Sequence, residues 1–173
     1  MMKCVFFDRD GIVNKSPGPG YVERWEDFHL LPEFVDALRL VLDKGCKAVV
    51  ITNQRGVARG MMSIETLDEM HSNLVALLRD KYGLELLDIL VCPHERDSCD
   101  CRKPKPGMLL EAAEKHGIDL SVSWMIGDHE TDVEAGRSAG CRTVRVCPDA
   151  EDTAADFHIA DMTTLKALLE KEL

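Results

Sequence analysis

Long apolar runs, internal repeats and low-complexity tracts are all missing from this sequence. Without a run long enough to span a bilayer, no transmembrane helix is expected. Aromatic residues are scarce at 5%, and basic residues are outnumbered, 21 against 31, for a formal charge of −10. There is accordingly no basic-aromatic stripe on which nucleic-acid bases would stack, and the acidic balance repels phosphodiester backbones and anionic lipid. Neither nucleic acid nor membrane is expected as a partner. A small soluble ligand is. The apolar run from Met1 to Phe7 is stopped by Asp8 before it reaches signal-peptide length, so a cytoplasmic location is expected.

What is present suits one compact domain over residues 1–173, expected to work as a monomer. Short β-rich runs at Cys4–Phe7, Ala48–Thr52, Ile89–Cys92, Trp124–Ile126 and Thr143–Val146 each end at a polar or glycine-containing turn. Between them, Phe34, Leu38, Val41 and Leu42 recur at helical spacing. So do Leu67, Met70, Leu74, Leu77 and Leu78, after a Ser63 N-cap. Further helices are predicted from Pro106 to Gly117, from about Glu130 to Gly140, and around Leu165, Leu168 and Leu169. Strands alternating with helices predict an α/β fold: a Rossmann-like open parallel sheet with helices on both faces and a ligand site beyond the strand carboxyl ends. The spans between motifs leave no room for a large cap domain.

Four polar segments follow predicted strands or lead into a predicted helix. In Asp8-Arg9-Asp10-Gly11, two carboxylates two residues apart point the same way on an extended backbone, repel one another and call for a cation such as Mg²⁺. Thr52-Asn53-Gln54 ends a strand in groups able to hold phosphate oxygens. Arg102-Lys103-Pro104-Lys105-Pro106-Gly107 places cations just before a helix start, where anions are already favoured. Gly127-Asp128 and then Asp132, one helical turn later, supply further carboxylates able to complete a metal shell. Taken singly, each segment is equally well a turn, a helix cap or a solvated loop; their convergence on one sheet edge points to a site.

In this order and after these strands, DRDG, TNQ, RKPKPG and GDxxxD resemble the four motifs of the haloacid dehalogenase superfamily of phosphatases. Gly20-Tyr21, Gln54-Arg55-Gly56-Val57-Ala58-Arg59-Gly60 and Lys105-Pro106-Gly107-Met108 are similar to the heptose bisphosphate phosphatases within it, with the histidinol-phosphate phosphatases as close relatives. The resemblance implies a Mg²⁺-dependent phosphomonoester hydrolase. Asp8 would be the nucleophile that forms an aspartyl-phosphate, and Asp10 the general acid and then base. Thr52 and Lys103 would stabilise the phosphoryl group. Asp8, Asp128 and the Asp10 carbonyl would hold magnesium, with Asp132 in support.

Seven cysteines are present, an odd number, and three of them crowd into Cys92-Pro93-His94-Glu95-Arg96-Asp97-Ser98-Cys99-Asp100-Cys101. The charged residues between them predict an exposed loop, so Cys92, His94, Cys99 and Cys101 read as a closed, structural tetrahedral Zn²⁺ site that pins the approach to Lys103. Cys4, Cys46, Cys141 and Cys147 read as small core residues, Met61, Met62 and Met70 as packing, and His71 as a core or boundary histidine.

Gly20, Tyr21, Asn53, Gln54, Arg55, Arg102 and His129 are the expected substrate-facing residues, with Arg59 and Lys105 nearby. Several cations on one rim suit a sugar carrying a second phosphate. Two features favour histidinol phosphate or another sugar phosphate instead: the long segment Lys15 to Gly20, and the short span Glu95 to Ser98 between His94 and Cys99, which looks like the histidinol-phosphate branch. A reading of another class, a phosphometabolite-binding protein without turnover, would predict a missing nucleophile or proton donor. Asp8 and Asp10 are both present.

Overall fold

The computed structural model describes residues 2–149 and 152–173; Met1, the first residue of the N-terminal run, lies outside them. Six parallel strands form one sheet: β1 (Cys4–Phe7), β2 (Lys47–Asn53), β3 (Asp88–Cys92), β4 (Trp124–Gly127), β5 (Arg142–Val146) and β6 (Phe157–Ile159). Their spatial order is β3-β2-β1-β4-β5-β6. Register runs Phe7 beside Val50 on one side and Ile126 on the other. The order reverses between β1 and β4, and loops leaving those two strands diverge to open a crevice, the usual ligand position in such sheets.

The helices are α1 (Pro32–Asp43), α2 (Ile64–Leu77), α3 (Gly107–His116), α4 (Glu130–Ala139) and α5 (Leu165–Glu172). Side chains alternate across a strand, so β1 feeds two cores. Val5 and Phe7 pack with Ala48, Val50 and Ile126 against Phe34 and Leu38 of α1, Met70 and Leu74 of α2, and Leu165 and Leu169 of α5. Cys4 and Phe6 pack with Val49, Ile51 and Met125 against Met108, Leu109 and Ala112 of α3 and Ala135 of α4. Helices therefore cover both faces, as expected.

Local signals behave as read. Ser63 Oγ accepts the Thr66 amide at 3.1 Å and caps α2. Gly117 and Gly140 end α3 and α4 in left-handed conformations, with φ of 68° and 89°. The helix expected to open at Pro106 begins one residue later, with Pro106 as its N-cap. The sheet's sixth strand has no counterpart among the sequence-based elements, because three partly exposed residues carry too little pattern. Tertiary contacts define it: Phe157 stacks on Trp124 at 5.5 Å, and Arg142 lies 4.3 Å from the Trp124 ring centroid. Two core assignments change. Met61 is exposed, since it lies in a turn before α2, and Cys147 is only half-buried, just beyond the end of β5.

Candidate active site

Asp8 is the first residue beyond β1, its amide bonded to the Ile126 carbonyl at 2.9 Å, and only 8% of it is exposed. Lys103 is buried beside it. Its ammonium donates to Asp8 Oδ1 at 2.6 Å and to the Ile51 carbonyl at 3.2 Å, and lies 2.6 Å from Asp132 Oδ1. Asn53, at the end of β2, sets the Lys103 backbone from both sides: its amide donates to the Lys103 carbonyl and accepts the Lys103 N–H, each at 3.1 Å. Asp8 after β1 and Asp132 after β4 thus meet at one ammonium group, that of Lys103, whose backbone the end of β2 holds in place.

Two glycines allow the carboxylates to crowd. A Cβ on Gly11, whose φ is 90°, would lie 2.3 Å from Asp128 Oδ2, and one on Gly127 would lie 2.2 Å from Asp132 Oδ2. Asp132 also accepts the His129 amide at 3.0 Å and so caps α4. Burial pushes the Asp8 carboxyl well above the usual carboxylate range; Asp132 adds to this, Lys103 opposes it and Asp128 adds again. Burial raises Asp128 too. For Lys103, burial alone would lower the ammonium's value, but Asp132 and Asp8 reverse that and hold it charged.

Asp8, Asp128 and Asp132 can each offer an oxygen to one point, and when all three are ionised they exceed the single Lys103 charge by two negative charges. Among the described residues, Asp128 Oδ1, which is buried, has no hydrogen-bond partner. An orphaned carboxylate oxygen and a surplus of two negative charges fit a divalent, oxygen-liganded cation such as Mg²⁺.

Asp10 turns its carboxylate to a different set of partners. Its Oδ1 accepts Arg9 Nη2 at 3.0 Å, Arg9 Nε at 3.2 Å and Asn14 Nδ2 at 2.9 Å; Oδ2 accepts Gln54 Nε2 at 3.1 Å. Gln54 also donates to Thr52 Oγ1 at 2.8 Å. Asp8, Asp10, Thr52, Asn53, Lys103, Asp128 and Asp132 all border one cleft of about 590 Å³, whose outer wall includes Gly20, Tyr21, Arg55, Arg102 and His129.

Against this geometry the comparisons with known proteins are consistent. The HAD-hydrolase-like family model matches residues 100–164. A D-glycero-beta-D-manno-heptose-1,7-bisphosphate 7-phosphatase of Pseudomonas putida is 41% identical over 84% of this chain and 82% of its own. The D-glycero-alpha-D-manno-heptose-1,7-bisphosphate 7-phosphatase of Photorhabdus laumondii is 35% identical over 98% of this chain and 97% of its own. The chain belongs to the heptose-1,7-bisphosphate 7-phosphatase family of HAD-like hydrolases. Among solved structures, the D,D-heptose 1,7-bisphosphate phosphatase of B. bronchiseptica, complexed with magnesium and phosphate, superposes with a TM-score of 0.85 at 29% identity, covering 99% of this chain and 100% of that one. As a member of this heptose bisphosphate phosphatase family, the protein is a phosphatase.

The phosphatase cleft brings together most residues singled out from sequence. Gln54 differs: it is fully buried, its amide is given to Asp10 and Thr52, and it does not border the cleft. On the rim, Arg55 Nε donates to Tyr21 Oη at 3.4 Å, and Glu95 ties Arg55 at 3.2 Å to Arg59 at 3.3 Å. Among the described residues, Arg102 Nη1, which is buried, has no partner. Glu95, Arg9 and Asn14 were not recognisable as site residues. Nothing in a local pattern says that Arg9 turns inward to a helix more than sixty residues away, and Asn14 has only its proximity to Asp10 as a signal.

Cys92 Sγ, His94 Nδ1, Cys99 Sγ and Cys101 Sγ face one another across 3.5 Å (Cys92 to Cys99), 3.4 Å (Cys99 to Cys101), 3.3 Å (His94 to Cys101) and 3.6 Å (Cys92 to His94). Tetrahedral zinc with S ligands at about 2.3 Å has ligand–ligand edges of about 3.8 Å, so the donor set and its spacing fit that ion. The cluster ends two residues before Lys103.

Proposed function

We propose that this protein removes the 7-phosphate of D-glycero-D-manno-heptose 1,7-bisphosphate, with Asp8 as nucleophile and Asp10 as proton donor and acceptor. The observation that carries the reading is the Lys103 ammonium held between Asp8 and Asp132 at 2.6 Å from each, in a cleft bordered by Asp10 and by the cations Arg55 and Arg102. Asp8, Asp128 and the Asp10 carbonyl would hold Mg²⁺, which neutralises phosphoryl charge when bound. Zinc would be held by Cys92, His94, Cys99 and Cys101 in a structural role.

In the first half-reaction an Asp8 oxygen forms a bond to phosphorus as the bond from phosphorus to the sugar oxygen breaks, and Asp10 gives that oxygen its proton. Lys103 offsets charge on the phosphoryl oxygens, and Thr52 Oγ1 can donate to one of them. In the second, Asp10 takes a proton from water as the water oxygen attacks phosphorus, restoring the Asp8 carboxylate and releasing phosphate. Arg55 and Arg102 suit the phosphate that is not cleaved, since guanidinium groups pair with it bidentately. The enzyme would act on a small phosphorylated metabolite in the cytoplasm, as a monomer.

The short His94 to Cys99 span favours histidinol phosphate as the competing substrate. Measuring kcat/KM with Mg²⁺ for both decides between them. A preference for the bisphosphate of about a hundredfold, near 2.7 kcal/mol in the transition state, supports the proposal. The reverse preference, or no reaction with the bisphosphate, rejects it.

A further inference from the structure

Arg9 stands between the two carboxylates of its motif, yet its side chain is fully buried and leads away from the cleft. Its guanidinium lies 5.7 Å from the Phe28 ring centroid, and Nη1 reaches α2, 3.6 Å from Met70 Sδ and 3.1 Å from His71 Nε2. Burying a guanidinium is costly unless its donors are matched. Nε and Nη2 are matched by Asp10; among the described residues Nη1 has only the sulfur, a weak acceptor, and the imidazole. An N–H donor can be received by Nε2 only when the ring is neutral and carries its proton on Nδ1. Burial, followed by the Arg9 charge, pushes His71 down to about 3, so the ring is neutral at ordinary pH.

The guanidinium is therefore held at both ends, by the Asp10 carboxylate at the cleft and by a neutral imidazole on α2. Packing alone would be served at position 71 by leucine or methionine, the residue types already around it on α2. An apolar side chain, however, leaves Nη1 without a strong acceptor and Arg9 free to turn, and Asp10 loses the direction of its shared bonds. We propose that His71 is a positioning residue for proton transfer, orienting Asp10 through Arg9 from outside the cleft. This rests on the reading of Asp10 as the group that protonates the leaving oxygen.

Leaving-group dependence tests the idea, because 4-nitrophenolate departs without protonation whereas a sugar alkoxide does not. Since kcat/KM covers steps only up to release of the leaving group, a defect in the later water attack does not enter it. The substrates are 4-nitrophenyl phosphate and the sugar phosphate that the wild-type enzyme hydrolyses best, with Mg²⁺ present. Asp10→Asn establishes the signature: a loss on the sugar phosphate at least about a hundredfold larger than on 4-nitrophenyl phosphate. For His71→Leu we expect the same signature in weaker form, about a tenfold loss on the sugar phosphate and less than about threefold on the aryl ester. His71→Gln, whose amide oxygen can occupy the place of Nε2, should recover most of it. His71→Asn, polar but too short to reach Arg9, should not, and it supplies the readout if the leucine variant does not fold. Equal losses on both substrates, or full activity in His71→Asn, overturn the proposal while leaving Asp10 in its role. Equal losses in Asp10→Asn overturn the Asp10 reading and the proposal with it.

Discussion

A Cβ placed on Gly11 would sit 2.3 Å from Oδ2 of Asp128, so the turn after β1 and the carboxylate after β4 occupy one space. Gly11 also has a φ of 90°, which side-chain-bearing residues rarely adopt. Gly11→Ala is expected to displace Asp128, weakening the Mg²⁺ requirement curve by about tenfold and costing about 1–3 kcal/mol of stability. Mg²⁺ titration of activity and urea unfolding measure the two effects; an unchanged Mg²⁺ dependence would show that Asp128 does not hold the metal.

Lys103→Met removes the ammonium between Asp8 and Asp132 and leaves two buried carboxylates facing each other. Breaking a buried pair from one side costs about 3–5 kcal/mol. The variant should lose turnover, and its urea midpoint should fall at constant m-value. Wild-type stability would mean that the two carboxylates do not depend on this ammonium.

Asp8→Asn keeps the shape of the nucleophile but not its charge, and should reduce phosphate release by at least about a thousandfold with secondary structure unchanged. It also relieves the repulsion with Asp132 and Asp128. Retention of wild-type turnover would exclude an aspartyl-phosphate on Asp8.

His71 links stability to pH. Its folded value of about 3 lies below the ordinary 6.5, so between these values the unfolded chain binds a proton that the folded one refuses. The contribution is complete above about pH 6.5 and declines as pH falls toward 3, by up to about 1.4 kcal/mol per pH unit. His71→Gln should flatten the stability curve in that window, whatever its effect at pH 7. Urea unfolding at several pH values would reveal it, and parallel curves for the two proteins would contradict the assignment.

Metal analysis should find one zinc per chain, and a Cys99→Ser variant or a strong chelator should lower it. Because the cluster ends two residues before Lys103, Tm and kcat are expected to fall together, Tm by at least about 5 °C. Full activity in zinc-free protein would separate the loop from the catalytic centre.

The sequence by itself determined the parallel α/β layout, because short apolar runs, helical spacing, caps and strand-ending polar turns are all local signals. It also determined which chemistry meets at the sheet edge: Asp8, Lys103 and Asp128 each follow a strand or precede a helix in order, and the topology rules leave them one side to occupy. Four residues of metal-ligating type within ten positions were legible for the same reason. Tertiary structure alone decided the partners of each side chain. That Asn53 holds the Lys103 backbone, that Gln54 turns from the cleft to Asp10, that Arg9 reaches α2 and that Trp124 recruits β6 are all contacts between segments distant in sequence. Such contacts follow from how buried polar groups find partners once the sheet has brought the segments together, and no local pattern carries that information.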